Sequence, residues 1–381
     1  RGPLGDPSPE VVEAEEGGDG DRPLVVAPGA LSADRRGGEY RGALRDLAEA
    51  AGAPVVAEPT SQLRFWPDRG DGVFGTGDFL LDSSLDAPDL IVRTGEAPLT
   101  WVGRELSGRL EGVGQVTVHP YVERRDPDHV VGWHLGVDER RLFEAAAGRI
   151  DAGEGDSAWL EQYRRADGVA RDALGDAIEE QADLEEPRFW WELQELLPAG
   201  AALFVSNSMP VRNLDMYAPG DDRAVDVYFN RGLNGIDGIE STGLGVARGV
   251  EGPTVVVTGD VAFRHDIGGL ATARRTGADV TFIVVDNGGG AIFDKLPISE
   301  CGEVHDRHFV TEPEVDVGGV AEGFGLPVAV PDDWAEVRRD LAASIEAPGA
   351  QIVWLRTDRQ RDKQRGEAIR HRVVAAIEEA R

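Results

Sequence analysis

The chain has 381 residues, 41% of them hydrophobic, and carries 70 acidic against 39 basic side chains, a formal charge of −31. That length suits two or three domains with real cores, a field this negative repels nucleic acid, and no apolar run approaches the roughly 20 residues of a membrane span. One cysteine, Cys301, excludes an intramolecular disulfide and fits a reducing compartment, so a cytoplasmic protein with no membrane insertion is expected.

Residues 1–22 are rich in Gly, Pro and acids and read as a tail or linker. Short apolar runs then alternate with helical patterns. Leu24–Pro28, Pro54–Ala57, Asp89–Arg93 and Val116–Val118 are predicted strands, and Tyr40–Ala51 and the stretch near Trp101–Leu110 predicted helices. This alternation predicts a small parallel α/β domain over 23–150. Its His119, His129 and His134 lack the spacing of a metal site. A charged, periodic stretch from Ser157 to Glu186 reads as a helical linker over 151–190, punctuated by Pro187. Phe189–Leu197 is an amphipathic helix whose Trp190–Trp191 pair suits a core. A second α/β domain is predicted over 191–381. Its strands are Ala202–Val205, Ala224–Tyr228, Val255–Thr258, Val280–Val285 and Gln351–Leu355. Its helices begin at Pro210 and cover Glu240–Arg248, His265–Thr276, Trp334–Ile345 and Asp358–Ala380. The expected fold class is α/β, with two doubly wound parallel-sheet domains.

The most informative stretch runs from Val255 to Phe293. Strand, helix and strand at this length form a right-handed crossover between parallel neighbours. The polar clusters that end the two strands, Gly259-Asp260 and Asp286-Asn287-Gly288-Gly289-Gly290, then share the carboxyl edge of one sheet, where open α/β sheets bind ligands. One carboxylate, one amide oxygen and a backbone carbonyl from the glycine run form a hard oxygen set. Such a set suits Mg²⁺ (or Mn²⁺), which completes its shell from phosphates and water. N–H groups after Asp260 and in the glycine run suit the phosphates themselves. Gly-Asp and Asn-Gly also make ordinary turns; their order and spacing set this pair apart. Two more strand ends, Ser206-Asn207-Ser208 and Asn230-Arg231-Gly232, converge on the same edge.

The Gly259-Asp260 and Asn287 pair resembles the thiamine diphosphate fingerprint, a GD(G) followed after a spacer by N(N). Val261 replaces the second glycine, and Asp286-Asn287-Gly288 stands where a run of Asn is usual. The strings FVSNSMPVRNLD, YFNRGLNGIDGIESTGLGVA, VTGDVAFRHDIGGL and IVVDNGGGAIFDKLP, in this order, resemble one branch of that family. That branch is the 2-succinyl-5-enolpyruvyl-6-hydroxy-3-cyclohexene-1-carboxylate synthases (MenD). The resemblance implies a transferase of menaquinone biosynthesis. It would decarboxylate 2-oxoglutarate on thiamine diphosphate and add the resulting carbanion to isochorismate. It also implies Asp260, Asn287 and the Gly289 carbonyl as metal ligands. Asn207, Gly259, Val261 and Ala262 would contact the cofactor, Ile236 would prop it in its bent form, and Ile292, Phe293 and Leu296 would line the apolar side. Ser208, Arg212 and Arg231 would meet substrate carboxylates. Dianionic substrates entering so acidic a protein need local arginine forks.

Two features depart from the resemblance. The lysine usual in the family's middle domain is absent from Ala97-Pro98-Leu99-Thr100-Trp101, which leaves Arg104 as a substitute. No stretch matches the pyrimidine-binding domain that carries the catalytic glutamate. The chain is therefore expected to be incomplete and inactive alone. That domain would lie upstream on the same polypeptide or on a separate chain, in a homodimer or homotetramer. Two other readings share the diphosphate motif: another 2-oxoacid decarboxylase or acetolactate-synthase-like enzyme, and a non-catalytic diphosphate-binding module.

Only two lysines occur, Lys295 and Lys363. The carboxylate excess resembles that of cytosolic proteins from salt-loving microbes, so a halophilic protein is expected. Unscreened self-repulsion weakens a fold, and the melting temperature should rise from low-salt buffer to molar KCl. A melting temperature that ignores salt would remove this reading.

Overall fold

The computed structural model describes residues 22–27, 38–100, 102, 105–106, 108–121, 126–150 and 157–381. The expectations for residues 1–21 and for Arg104 lie outside the described residues, as do positions 101, 103 and 107 of the helix predicted near Trp101–Leu110. The chain divides into two compact units. One comprises Arg1–Leu174, Pro219–Asp222 and His371–Arg381, the other Gly175–Ala218 and Arg223–Arg370.

Among the described residues the first unit holds six strands: β1 (Pro23–Ala27), β2 (Val55–Ala57), β3 (Val73–Phe74), β4 (Leu90–Thr94), β5 (Gly114–Val118) and β6 (Trp133–Leu135). All pair in parallel, in the order β3-β2-β1-β4-β5-β6. Helix α1 (Gly38–Ala51) turns Tyr40, Ala43, Leu44 and Ala48 to the core, the stripe that a 3.6-residue period requires. Helix α2 spans Gly77–Asp82, α3 Glu139–Ala147 and α4 Ser157–Glu179. Asp138 starts α3 by accepting from the Arg141 N–H at 2.9 Å. Strands β3 and β6 and helices α2 and α3 are not predicted from the sequence, because elements this short hold too few periods to register.

In the second unit, helix α5 (Glu186–Leu196) precedes β7 (Ala202–Val205), α6 (Met209–Tyr217), β8 (Asp226–Phe229), α7 (Ile239–Gly249) and β9 (Thr254–Gly259). Then come α8 (Asp260–His265), α9 (Gly268–Thr276), β10 (Val280–Asp286), α10 (Val317–Phe324), β11 (Val328–Ala329), α11 (Trp334–Glu346), β12 (Ala350–Arg356) and the part of α12 (Arg359–Glu379) that precedes His371. The sheet is again all parallel, in the order β11-β12-β10-β9-β7-β8. Central strands covered on both faces need continuous apolar sequence. Val255, Val256 and Val257 of β9 and Phe282, Ile283 and Val284 of β10 provide it, all at 0% exposure. From β7 the chain passes to β8 on one side and returns to β9 on the other. That reversal opens a crevice at the carboxyl ends of β7 and β9, the place where sheets of this kind bind ligands.

Two local predictions are corrected. Pro187 does not end a helix; it sits in the first turn of α5, where its missing N–H has no role. The helix expected over His265–Thr276 starts later, at Gly268 (α9), and a separate short helix, α8, precedes it over Asp260–His265, the two parted at Asp266 and Ile267. The Asp266 carboxylate accepts from the Ser241 N–H at 2.7 Å and the Ser241 hydroxyl at 3.0 Å, so it serves the start of α7. Among the described residues no helix is long and apolar enough to cross a membrane.

Candidate functional site

Asp260 opens α8 at the end of β9, and its buried carboxylate is held on both oxygens. Oδ1 accepts from the Val261 N–H and Oδ2 from the Gly289 N–H, each at 2.7 Å. The second bond joins the loops after β9 and β10, which brings the two predicted strand ends together. Gly289 has φ +113°, and a Cβ there would stand 2.3 Å from the Val310 carbonyl oxygen, so only glycine fits. Its own carbonyl accepts from the Ala291 N–H at 2.6 Å and keeps a second lone pair. Asn287 donates from Nδ2 to Oε1 of Glu186 at 2.7 Å, while its Oδ1 is buried and meets no donor.

This arrangement fits a hard divalent cation. Burial pushes the Asp260 carboxyl up to about 7; the Val261 and Gly289 N–H groups pull it down, and neighbouring Asp286 adds to the rise. A cation beside Asp260 would balance that buried charge and give Oδ1 of Asn287 a partner. Among the described residues no group of three or more His, Cys, Asp or Glu could hold a metal. A cation here therefore depends on amide and backbone oxygens around one carboxylate, a set suited to Mg²⁺ rather than Zn²⁺.

The N–H groups of the glycine run are spent inside the protein. Gly288 donates to Oδ1 of Asp286 at 3.3 Å, Gly289 to Asp260, and Gly290 to the Val310 carbonyl at 2.5 Å. The Val261 N–H is likewise taken by Asp260. A buried N–H must find a partner, and these four find theirs within the protein, which gives a cation a larger part in holding phosphate.

The loops after β7 and β8 carry the next predicted residues. Asn207, buried at 1% exposure, donates from Nδ2 to the carbonyls of Asn230 and Gly235, both at 2.6 Å, and accepts from Nη1 of Arg231 at 3.2 Å. Its side chain clamps one loop to the other. Ser208 has φ +71°, a left-handed conformation that non-glycine residues take at strained functional positions. Its carbonyl accepts from Nη1 of Arg212 at 2.6 Å, and Arg212 and Arg231 are both half-buried. Half-buried Ile236 packs on the core of the second unit, and Ala262 lies inside that core, so only its backbone can face a ligand. Gly259 and Val261 are half-buried.

Beyond the glycine run, Ile292 and Phe293 are half-buried, and Leu296 is 48% exposed. Phe293 meets Phe309 edge-on at 5.5 Å. Buried Asp294 anchors this turn through Arg359, with His305 3.5 Å away.

Sequence reasoning missed Glu186. It is 2% exposed and accepts from Nδ2 of Asn213 at 2.6 Å and Nδ2 of Asn287 at 2.7 Å; its own N–H donates to Oδ1 of Asp362 at 2.8 Å. Burial raises the Glu186 carboxyl, while Asn287, Asn213 and Lys295 oppose the rise. Burial, then the nearby Glu186 charge, pushes Asp362 up to about 8. The available signal was an acid-acid-proline run at a helix start, which reads equally well as a solvated linker. Glu240 of α7 is at 0% exposure, and burial pushes it up to about 8.

Residues 228–354, which include Asp260, Asn287 and Gly289, match the family model described as thiamine pyrophosphate enzyme, C-terminal TPP binding domain. Relatives named 2-succinyl-5-enolpyruvyl-6-hydroxy-3-cyclohexene-1-carboxylate synthase align along nearly all of the chain. The Synechococcus sp. (strain JA-3-3Ab) protein is 34% identical over 91% of this chain and 57% of its own length. The Geobacillus kaustophilus (strain HTA426) protein is 33% identical over 89% of this chain and 58% of its own. For the Halobacterium salinarum (strain ATCC 29341 / DSM 671 / R1) protein the figures are 32%, 93% and 59%.

The chain is similar to thiamine diphosphate enzymes, and among them to the MenD proteins. It spans somewhat more than half the length of the curated relatives it matches. A solved Mycobacterium smegmatis protein, described as a thiamin diphosphate-dependent enzyme, shares the fold of this MenD-like chain. Its TM-score is 0.59 at 19% identity, over 89% of this chain and 62% of that one.

Proposed function

We propose that this MenD-like chain supplies the diphosphate end of a synthase that decarboxylates 2-oxoglutarate and adds the succinyl-semialdehyde carbanion to isochorismate. The product is 2-succinyl-5-enolpyruvyl-6-hydroxy-3-cyclohexene-1-carboxylate. The observation that carries the reading is the orphaned Oδ1 of Asn287, two residues before the Gly289 whose N–H holds the buried Asp260 carboxylate, all inside the family-matched segment. Asp260, Asn287 and the Gly289 carbonyl would hold Mg²⁺ or Mn²⁺, and that ion would hold the diphosphate. Bound thiamine diphosphate supplies the electron sink for decarboxylation.

The chain's own residues position and neutralise. Ile236 supports the cofactor from the loop after β8, and Ile292, Phe293 and Leu296 give the pocket an apolar wall that excludes water. Ser208, Arg212 and Arg231 orient the substrate carboxylates. Both substrates are dianions approaching a chain of charge −31, so these guanidinium groups also set local attraction against the overall field. The assembly includes a pyrimidine-binding domain that brings the catalytic glutamate, in a cytoplasmic homodimer or homotetramer.

Arg231→Ala should remove one charge-assisted contact of about 2 kcal/mol, about 30-fold in kcat/KM. Unchanged kinetics for this variant and for Arg212→Ala would reject the carboxylate role. The reading as a whole is tested by CO₂ release from 2-oxoglutarate in molar KCl with thiamine diphosphate and Mg²⁺. The chain is assayed with and without a pyrimidine-binding segment, and with and without isochorismate. Release that requires isochorismate supports the synthase. Release indifferent to isochorismate points to a general 2-oxoacid decarboxylase. Tight diphosphate binding without turnover in any combination points to a binding module.

A further inference from the structure

The two ends of a buried asparagine amide are nearly the same shape, so only its partners decide which end faces which way. At Asn287 that decision matters, because an oxygen can bind a cation and an NH₂ group cannot. We propose that Glu186 is a positioning residue that turns the oxygen of Asn287 toward the cation by claiming its NH₂ group. The inference rests on the cation site proposed above.

Three observations carry it. First, the Glu186 carboxylate is an acceptor on both oxygens, and both are used: Oε1 by Asn287 at 2.7 Å and Oε2 by Asn213 at 2.6 Å. An acceptor-only partner permits one orientation of each amide. Second, Glu186 cannot easily turn away. It is 2% exposed, followed by Pro187 in the first turn of α5, and its N–H is tied to Asp362 on α12. Third, Oδ1 of Asn287, at the far end of the same amide, is the atom left buried without a donor. A group whose only task was to tie α5 to α6 would need Asn213 and not Asn287. Flipping Asn287 would set NH₂ against the cation and leave one Glu186 oxygen facing another oxygen.

The test uses the full chain in molar KCl, with Mn²⁺ and inorganic diphosphate as the probe, free Mn²⁺ counted by electron paramagnetic resonance and folding followed by circular dichroism. Glu186→Gln presents one oxygen and one NH₂ to two amides, so one asparagine must turn. Mn²⁺ affinity should fall about 10–100-fold, the range for outer groups that orient a metal ligand. Asn287→Asp alone sets two carboxylates face to face and should also bind weakly. The double variant Glu186→Gln/Asn287→Asp restores complementarity. The carboxylate introduced on the β10 loop accepts from the new amide on α5 and still offers an oxygen to the cation. Its affinity should return to within about threefold of wild type, a coupling that independent sites would not show.

Undiminished binding by Glu186→Gln overturns the proposal. So does a double variant no better than the weaker single one. If Glu186→Gln fails to fold, the double variant decides: folded and binding supports the proposal, unfolded or unable to bind overturns it. Wild-type chain that takes up no Mn²⁺ with diphosphate would overturn the cation site itself, and the positioning role with it.

Discussion

Asp260→Ala should abolish cation-dependent diphosphate binding, with a loss beyond the roughly 100-fold typical of removing a mere supporting group. Mg²⁺ sheds its water reluctantly and relies on one or two carboxylates, and Asp260 is the carboxylate of this oxygen set. The N–H groups of Val261, Gly288, Gly289 and Gly290 already have partners, so phosphate depends the more on the cation. Alanine also orphans the N–H groups of Val261 and Gly289, each worth about 1–3 kcal/mol when left buried and unpaired. Asp260→Asn removes the charge and keeps an acceptor for one of the two N–H groups.

Without a cation the asparagine variant should be at least as stable as wild type above pH 7. The folded-state carboxyl sits up at about 7 against an ordinary 3.8. A raised carboxyl gives stability that is full below its unfolded value and is lost as pH climbs through the folded one. Above that point wild type carries the cost of a buried charge and the variant does not. Binding and stability thus move in opposite directions, as read by titration calorimetry with Mg²⁺ plus diphosphate and by melting in EDTA. A Mg²⁺-dependent melting shift in Asp260→Ala equal to that of wild type would place the cation elsewhere.

What the sequence discloses and what it hides follow from the range of each interaction. Runs such as VVVT and VTFIVV announce themselves because a strand covered on both faces must be apolar throughout. Gly259-Asp260 and Asn287-Gly288-Gly289 are readable because each cluster is local, and because a parallel crossover dictates that both lie at one sheet edge. Strands β3 and β6, of two and three residues, have no such periodicity. Glu186 is invisible for a different reason. Its partners Asn213, Asn287 and Asp362 lie 27, 101 and 176 positions away, and hydrogen bonds of that span leave no local pattern. Asn207 shows both sides: its place at a strand end is legible, but its use as a clamp on Asn230 and Gly235 appears only once the loops are folded.

Glu240→Gln should flatten the loss of stability with rising pH between about pH 5 and 8. Glu240 opens α7 at 0% exposure, and neither carboxyl oxygen meets a donor in good hydrogen-bond geometry. Burial pushes the group up to about 8; its own N–H and the Thr258 hydroxyl offset part of this, and Asp266 adds a little. The unfolded carboxyl titrates near 4.5. Its contribution is therefore intact below that value, falls as pH rises, and is gone above about 8. At neutral pH the accumulated cost is on the order of 3 kcal/mol. Glutamine brings a buried amide that costs about 1–2 kcal/mol of this back. The variant should then be nearly neutral near pH 5 and more stable than wild type by pH 8, by several degrees in melting temperature. Surface carboxylates give wild type and variant the same background slope, so the difference between the two curves isolates Glu240. Salt sharpens the separation: molar KCl screens repulsion among exposed charges and leaves a buried carboxyl almost untouched. The gap between wild type and Glu240→Gln should survive molar KCl while the shared slope shrinks. Curves that stay parallel across pH in both salts would mean that a donor reaches Glu240 in solution and that its charge is not stranded.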